Sequence, residues 1–356
     1  MINKYDLGKT KQKFTEFWNM ENHDRPLISI CAPKDGYRKR EITEPSNITE
    51  RWIDTGYIIE KAKEDMRSTY YCGEAFPSIF PNLGPDFFSA TLGCDLIFGE
   101  DTSWSVPLIS SWADVERISF DEENKWWMKM LKMTEDMCSA SDGDYLVGIT
   151  DIHPGFDALV ALRGPEMLCM DLYDHPQVLM KTVFEIYEIF KKQFESLHSL
   201  ISKYQFGCTN WMGIWHPDKW YVSQCDFSGL ISHRMFNEFI LPELIEELHI
   251  FGNSIYHLDG PAALIHIDTL LSLPEIDGIQ WVYGAGQPTA SHWIPLLKKI
   301  QDAGKCIQVS IQPEELDFLL NTLKPEGVMY CTSCETQSDA EELIKKAERH
   351  YERKLY

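Results

Sequence analysis

The feature that most constrains the fold is a regular alternation of strand-like and helix-like segments from about residue 144 to the end of the chain. Apolar, β-branched runs of four to eight residues are typical of buried strands, and longer runs with apolar residues at helical spacing are typical of helices. The predicted strands are residues 145–151, 206–211, 254–259, 278–283, 306–311 and 328–331. The predicted helices are residues 233–251, 262–273, 291–303, 313–323 and 338–351, with a further helix after residue 174. Strands and helices that alternate in this order favour a parallel sheet with helical crossovers.

Local signals set two of the helix boundaries. Ser232 is a typical N-cap and Gly252 a typical stop, so a helix is predicted between them. Asp174 is predicted to cap the long helix that follows, with Pro176 in its first turn. An apolar stripe at helical spacing runs along residues 178–201 and supports this second helix.

These segments predict an α/β fold, specifically a (β/α)8 TIM barrel with an N-terminal helical and loop extension. Two further strands, residues 26–31 and 95–98, would complete the eight. The expected organisation is one domain over residues 1–356, in which residues 1–140 cover a barrel mouth and residues 141–356 form the regular units. A doubly wound open sheet is the alternative, although no G-x-G-x-x-G follows a strand.

Composition excludes several classes of partner. The chain is 44% hydrophobic and 25% charged, which is globular, and its formal net charge is −22. This charge argues against nucleic acid and anionic membrane surfaces, because both would repel the protein. No apolar stretch is long enough for a transmembrane helix, and the first residues lack a signal peptide's apolar core, so a cytoplasmic location is expected. Most of the ten cysteines should then be buried thiols.

The segment His257-Leu258-Asp259-Gly260 is the strongest candidate for a catalytic site. Residues two apart on a strand point to the same face, so His257 and Asp259 should project together from the C-terminal end of their strand. Catalytic groups of α/β barrels gather at that end. Another predicted strand ends near two thiols, Cys331 and Cys334. Imidazole, carboxylate and thiolate together make a chemically sensible zinc set.

Other strand ends carry polar and aromatic side chains. Asp151 is a candidate for acid–base catalysis or for a further metal ligand, as is His153, with capping and loop hydrogen bonds as the alternative. Gln224-Cys225-Asp226 either lines the pocket or forms a loop. The candidate substrate-binding residues, for which ordinary core or lid packing is the alternative, are Asn210, Trp211, Trp215, His216, Gln280, Trp281 and Tyr283. A rim with tryptophans and few cations suits a flat or apolar substrate, or a methylammonium group held by cation–π contact.

Several segments resemble the uroporphyrinogen decarboxylase superfamily, which also contains the methylcobalamin:thiol methyltransferases. The resemblance covers most of the chain and is carried by residues 82–85, 92–94, 163–168, 171–176 and 228–242. The methyltransferase branch has a zinc site of the form His-x-Cys-Gly, with a distant Cys near the last strand. His257 and Gly260 match this motif, and Asp259 stands in place of the first Cys. The resemblance therefore implies zinc bound by His257, Asp259 and Cys334, with Cys331 as the alternative to Cys334.

The resemblance leaves three functions open. The first is a zinc-dependent methyltransferase that acts on a small methylated substrate or a thiol. Its methylcobalamin would come from a separate corrinoid protein, because the sequence has no D-x-H-x-x-G motif of its own. The second is a decarboxylase of a small cyclic acid, in which Asp151 or Asp259 stabilises a cationic intermediate. The nearest basic cluster in this chain, Arg38-Lys39-Arg40, does not match the arginine-rich motif of the family's decarboxylases. The third is a binding module that has lost catalysis. A homodimer is common in the family.

Overall fold

The computed structural model describes residues 7–352; residues 1–6, on which the expectation about a signal peptide rests, and residues 353–356 lie outside it. Its strands are β1 (Leu27–Pro33), β2 (Thr69–Gly73), β3 (Ser78–Ile79), β4 (Asp95–Phe98), β5 (Ser103–Val106), β6 (Leu146–Val147), β7 (Cys208–Thr209), β8 (Trp215–His216), β9 (Tyr221–Gln224), β10 (Ser254–Asp259), β11 (Gly278–Val282), β12 (Cys306–Ser310) and β13 (Val328–Ser333). Its α-helices are α1 (Leu7–Trp18), α2 (Ile48–Ile53), α3 (Thr55–Ser68), α4 (Phe87–Thr91), α5 (Lys125–Ser141), α6 (Gly155–Arg163), α7 (Pro165–Asp174), α8 (Pro176–Ile201), α9 (His233–Met235), α10 (Leu241–Phe251), α11 (Ile267–Ser272), α12 (Ile294–Asp302), α13 (Leu316–Thr322) and α14 (Gln337–Glu352).

A seven-stranded sheet forms the centre of the molecule, in the order β2-β1-β13-β12-β11-β10-β9. Every neighbouring pair is parallel except β1 with β2. A mixed α/β class with a mostly parallel sheet is thus confirmed. The closed eight-stranded barrel is not: within residues 7–352 the arrangement is barrel-like, but its hydrogen-bonded sheet stays open.

The open side is formed by strands too short to make continuous ladders. β3 pairs with β6 over two residues each, and one isolated bridge joins Ile149 to Asn210. Side chains replace the missing backbone bonds. The Gln205 amide pairs with the backbone N and O of Val147 at 2.8 and 3.0 Å, and the Tyr221 hydroxyl accepts from the backbone N of Ile152 at 2.9 Å. Side-chain bridges hold this wall in place without closing a barrel.

The predicted strand at residues 95–98 exists, but its assignment to the central sheet is wrong. β4 pairs antiparallel with β5 and forms a separate hairpin. Three of its residues are only partly buried or exposed, whereas four of the five residues of β11 in the central sheet are buried. A strand with little burial has little to gain from a place at the centre of a parallel sheet.

Helix α1 covers the end of the sheet where the parallel strands begin. The Cys306 thiol at the start of β12 contacts the Phe17 carbonyl oxygen at 3.4 Å. The rings of Trp18 and Trp220, which directly precedes β9, lie 5.3 Å apart. The opposite, C-terminal end is therefore the one left to polar side chains.

The predicted helix between Ser232 and Gly252 is confirmed with its boundaries. The Ser232 hydroxyl accepts from the backbone N of Met235 at 3.3 Å, and Gly252 ends α10 with a positive φ of 76°. A π-helical stretch, Phe236–Ile240, joins α9 to α10. Pro176 begins α8 as predicted, but Asp174 ends α7 and is not the cap. No helix among the described residues has the length and apolar character needed to cross a membrane.

Candidate functional site

A band of polar side chains crosses the C-terminal half of the central sheet. His257 on β10 is in register with Gln224 on β9 and with Gln280 on β11. Gln280 is in turn in register with Gln308 on β12. Residues paired in parallel register point to the same face, so these side chains form one row inside an otherwise apolar sheet. The Gln308 amide donates to the Cys331 sulfur at 3.0 Å and extends the row to β13.

The most compact group of potential metal ligands consists of Asp226, His257 and Asp259. One ligand atom from each lies within 4.8 Å of the other two. His257 and Asp259 project from the end of β10, and Asp226 opens the 3-10 turn that follows β9. The adjacent strand ends therefore bring together one imidazole and two carboxylates at an edge open to solvent.

A second group shares Asp226 and adds His153 and Asp157, within the same 4.8 Å limit. Most of the potential ligand atoms in this group already make hydrogen bonds within the protein. The two Asp157 oxygens accept from the backbone N of Asp226 and Phe227, each at 2.9 Å. Asp157 thus holds the turn that carries Asp226, which makes it a positioning residue rather than an open ligand.

His153 is held between two carboxylates. Its Nε2 lies 3.0 Å from Asp151 and its Nδ1 3.7 Å from Asp157. Burial alone would lower the pKa of His153, but these carboxylates raise it well above its ordinary value. Burial alone would raise the pKa of Asp151, yet His153 and the Gln224 amide, which donates at 3.0 Å, lower it. Both shifts favour an imidazolium beside an ionised carboxylate.

His257 is oriented by its neighbours on both sides. Its Nδ1 is hydrogen-bonded to the Gln280 side-chain oxygen. Because an amide oxygen only accepts, Nδ1 carries the proton in this contact, which in the neutral imidazole leaves the Nε2 lone pair for a ligand. The Trp211 ring packs edge-on against the imidazole, with centroids 5.3 Å apart. This is the arrangement in which an imidazole is ready to bind a metal ion.

The Asp226 carboxylate is accessible to solvent, yet it lies close to several charged side chains. Partial desolvation and the nearby Asp157 carboxylate raise its pKa, against the opposing effect of His153 and His257. Together the two groups contain three carboxylates, Asp157, Asp226 and Asp259, and two imidazoles. A bound cation would therefore reduce the repulsion between the carboxylates.

The structure does not bring either candidate thiol into this cluster. Within residues 7–352, the compact ligand groups contain neither Cys331 nor Cys334. Burial raises the pKa of Cys331 to about 12, and its sulfur accepts from Gln308. The backbone N of Cys334 donates to the Cys31 carbonyl at 2.9 Å, at the far β1–β13 side of the sheet. Asp226 stands beside His257 and Asp259 where the sequence pattern suggested a thiol.

The predicted substrate-binding residues separate into two groups. Trp211 lies against His257, Gln280 hydrogen-bonds to it, and the buried Asn210 directly precedes Trp211 with its Nδ2 unpaired among the described atoms. Trp281 points to the opposite face of β11 from Gln280, because neighbours on a strand alternate, and packs on Trp293 at 4.9 Å.

Three further predicted residues lie outside the cluster. Tyr283, just beyond β11, lies near Glu315, whose charge adds to burial in raising the tyrosine pKa. Trp215 and His216 lie against α1 at the N-terminal end of the sheet. The Trp18 indole donates to the Trp215 carbonyl at 3.0 Å, and its ring packs on His216 at 5.0 Å. Their strand, β8, pairs antiparallel with β7, so the chain reverses direction there. The pattern of hydrophobic residues along the chain does not indicate this reversal.

The residue that sequence reasoning underrated is Asp226. The segment Gln224-Cys225-Asp226 was open to either a pocket or a loop role, and the structure gives both Gln224 and Asp226 contacts in the cluster. The signal in the sequence was a carboxylate directly after a buried strand. Asp157, in the first turn of α6, has no such signal, because its role depends on its contact with the turn after β9.

The fold has a counterpart among solved structures. A methyltransferase from Methanosarcina mazei superposes with a TM-score of 0.63 over 96% of this chain and 98% of that one, at 9% sequence identity. At this identity the likeness establishes a shared fold. No protein-family model matches the sequence, and no curated protein matches it.

Proposed function

We propose that the protein is a zinc-dependent methyltransferase whose metal is held by Asp226, His257 and Asp259. The observation that carries the proposal is the grouping of these three ligands at the C-terminal edge of the sheet. A methyltransferase shares the fold along nearly its whole length, which supports the reaction class. The methyl group would pass between a small methylated substrate and either a thiol or a separate corrinoid protein.

The donor set suits zinc. Catalytic zinc sites combine imidazole and carboxylate ligands, and they keep one position open beside three protein ligands. The His257 tautomer leaves Nε2 free to coordinate, and Asp226 and Asp259 are accessible from solvent. When bound, zinc would supply Lewis acidity that lowers the pKa of an incoming thiol.

The chain's own residues would prepare the site. Gln280 fixes the His257 ring through Nδ1, and Trp211 shields one edge of that ring. Asp157 fixes the turn that carries Asp226. The lowered pKa of Asp151 beside His153 favours a fixed negative charge at this position over a proton acceptor. Solvent access at Asp226 and Asp259 lets a thiol proton leave to water.

Decarboxylation of a carboxylate-rich substrate is less well supported. Such a substrate needs several cations in its pocket. Lys39 is paired with Asp65 and Arg40 with Glu60, both on α3, and the cavity that they line contains no residue of the candidate site. No specific contact favours this second function.

Metal analysis tests the proposal. Protein purified without chelator should carry about one zinc per chain by mass spectrometry of the metal, as expected for a mononuclear catalytic site. Chelator-stripped protein should rebind zinc in calorimetry and transfer methyl from free methylcobalamin to a small thiol, followed by absorbance. Asp226→Asn, His257→Ala and Asp259→Asn should each lose the zinc.

Cys334→Ser is the matched control, because it removes the thiol implied by the family resemblance and leaves the three-residue group intact. It should keep zinc and activity. Wild-type protein that neither carries nor rebinds zinc would refute the proposal. Zinc lost in Cys334→Ser but kept in Asp226→Asn would move the third ligand to the cysteine. Circular dichroism of each variant checks that it is folded.

A further inference from the structure

A small pocket lies between the first third of the chain and the candidate metal site. Its volume is about 170 Å³, and its walls include Trp52, Phe80, Asp101, Asp151 and Trp211. Two of these residues also belong to the candidate site: Trp211 packs on His257, and Asp151 bonds to His153 and Gln224. Trp211 therefore connects the pocket to the proposed metal ligand His257.

Three aromatic residues, Trp52, Phe80 and Trp211, are among the residues that line the pocket. The Trp52 indole N donates to the Gly99 carbonyl at 2.9 Å, and its ring stacks on Phe98 with centroids 5.5 Å apart. The Trp211 ring makes an edge contact with the His257 ring, with centroids 5.3 Å apart. Ring faces carry partial negative charge, so several rings around one space favour a cation with an apolar surface.

The charged groups in the pocket have the same preference. Asp101 makes no side-chain hydrogen bond or ion pair with any described residue, and no Lys or Arg lines the pocket. Arg51, in the neighbouring cavity, is already paired with Glu44 and Glu100. The net charge of −22 would also attract a cation towards the protein. The pocket thus combines aromatic rings with the Asp101 carboxylate, whose charge its own lining does not neutralise.

We propose that this pocket binds a quaternary methylammonium group, which makes a small methylammonium compound the methyl donor of the enzyme. This inference rests on the methyltransferase activity proposed above and names its substrate class. A trimethylammonium head is compact, apolar at its surface and permanently positive. Recognition of such groups by aromatic cages is the main functional use of cation–π contacts.

The chemistry balances with a thiol as acceptor. The thiol loses its proton to water, and the thiolate sulfur attacks one methyl carbon. The S–C bond forms as the C–N bond breaks, and the electron pair of that bond stays on nitrogen. The products are a methyl thioether and a neutral tertiary amine, so the leaving group needs no proton and the step needs no oxidant or reductant.

Paired ligands of equal shape test the inference. Choline and 3,3-dimethyl-1-butanol differ in the charged nitrogen that replaces a carbon, so calorimetric titration with each isolates the effect of charge. Choline should bind at least about tenfold more tightly, as expected for a partly desolvated cation–π site. Equal affinity for the two ligands, or no binding of choline, would overturn the inference.

Variants locate the binding. Trp52→Leu should weaken choline binding about tenfold and Trp52→Phe should largely restore it. Asp101→Asn, at an exposed position that is safe for folding, should weaken choline binding without affecting the neutral ligand. Phe206→Ala removes an exposed ring at the other end of the molecule and should leave choline binding unchanged. Unchanged choline affinity in both Trp52→Leu and Asp101→Asn would place the cation elsewhere and refute the inference.

The result of the choline titration can be distinguished from the results of the zinc and methyl-transfer assays. Zinc binding and methyl transfer from methylcobalamin to a thiol do not require the pocket. If both persist while choline fails to bind, the methylammonium inference falls and the methyltransferase proposal stands. If zinc and transfer are absent while choline binds, the proposed activity falls and the cation site remains.

Discussion

Among single residues, the uncharged Gln280 has a large effect on the orientation of the candidate metal ligand His257. Its side-chain oxygen accepts from His257 Nδ1, and its place in register on β11 holds it level with the imidazole. A partner of this kind determines which ring nitrogen is free to coordinate and in which direction it points. The amide is neutral, so it fixes the tautomer without adding another negative charge to a carboxylate-rich edge.

Replacing Gln280 by Leu should weaken zinc binding by about 10- to 100-fold, because His257 loses the acceptor that orients it. Calorimetric titration of chelator-stripped protein measures the change. Gln308→Leu is the matched control: it removes an amide from the same polar row on the next strand and should leave zinc affinity close to wild type. Equal losses in both variants would mean that the row acts through packing alone.

Sequence reasoning reached only part of this cluster, and the reason is local geometry. His257 and Asp259 were predictable because alternation along one strand puts them on one face. Asp226 belongs to a different element, and its distance from β10 follows from the β9–β10 register and the turn held by Asp157. Motif analogy pointed instead to Cys334, which lies at the far side of the sheet.

At the scale of elements, the helix that begins after Ser232 contains a buried carboxyl pair. Glu243 and Glu247 lie one turn apart on α10, and both are buried. One Glu243 oxygen has no hydrogen-bond partner among the described atoms. Burial raises the pKa of Glu243 to about 7, with the Asp157 carboxylate adding to the effect. Burial and the neighbouring Glu243 raise the pKa of Glu247 well above its ordinary value.

Glu243→Gln should change how the free energy of unfolding depends on pH. A carboxyl whose pKa is raised on folding stabilises the folded chain fully below its unfolded value of 4.5, and this contribution is lost as pH rises through about 7. The wild type should therefore lose up to roughly 1.4 kcal/mol per pH unit in this window relative to the variant, whose amide stays neutral. Urea unfolding between pH 5 and pH 8 measures the difference.

The control for this prediction is Glu246→Gln, which changes an exposed carboxylate on the same helix. Its stability should follow the wild-type pH dependence. Parallel curves for wild type and Glu243→Gln would show that the pKa of Glu243 does not change on folding, and would contradict the prediction. The pair lies beside α6, where a Cβ on Gly155 would come 2.7 Å from a Glu243 oxygen, so the glycine leaves room for the carboxyl group.

At the scale of the whole molecule, a buried ion pair joins the irregular first third of the chain to the regular units. Arg163 on α6 bonds to Asp171 on α7 at 2.7 Å and also donates to the carbonyls of Ile109 and Ser110. The Trp112 indole donates to the same Asp171 carboxylate at 2.8 Å. Residues 109–112 and residues 163–171, which are distant in sequence, therefore meet at one buried ion pair.

Replacing Arg163 by Met should destabilise the protein by about 3–5 kcal/mol, because Asp171 is left buried without its cation. If residues 7–140 fold cooperatively with the rest, tryptophan fluorescence and circular dichroism should still report one urea transition. Lys345→Met, which removes an exposed pair with Glu341, is the control and should change stability little. Two separate transitions in the wild type would show that the first third unfolds independently.

The alternation of strands and helices in the second half of the chain, and most of the helices there, could be predicted from the sequence. Hydrophobic period, caps and stops depend on neighbours within a few residues, so the helix between Ser232 and Gly252 and the polar end of β10 were readable. Tertiary structure alone decided whether the sheet closes, where β4 pairs, and which third ligand joins His257 and Asp259. Those outcomes depend on register and burial between distant segments, which no local pattern encodes.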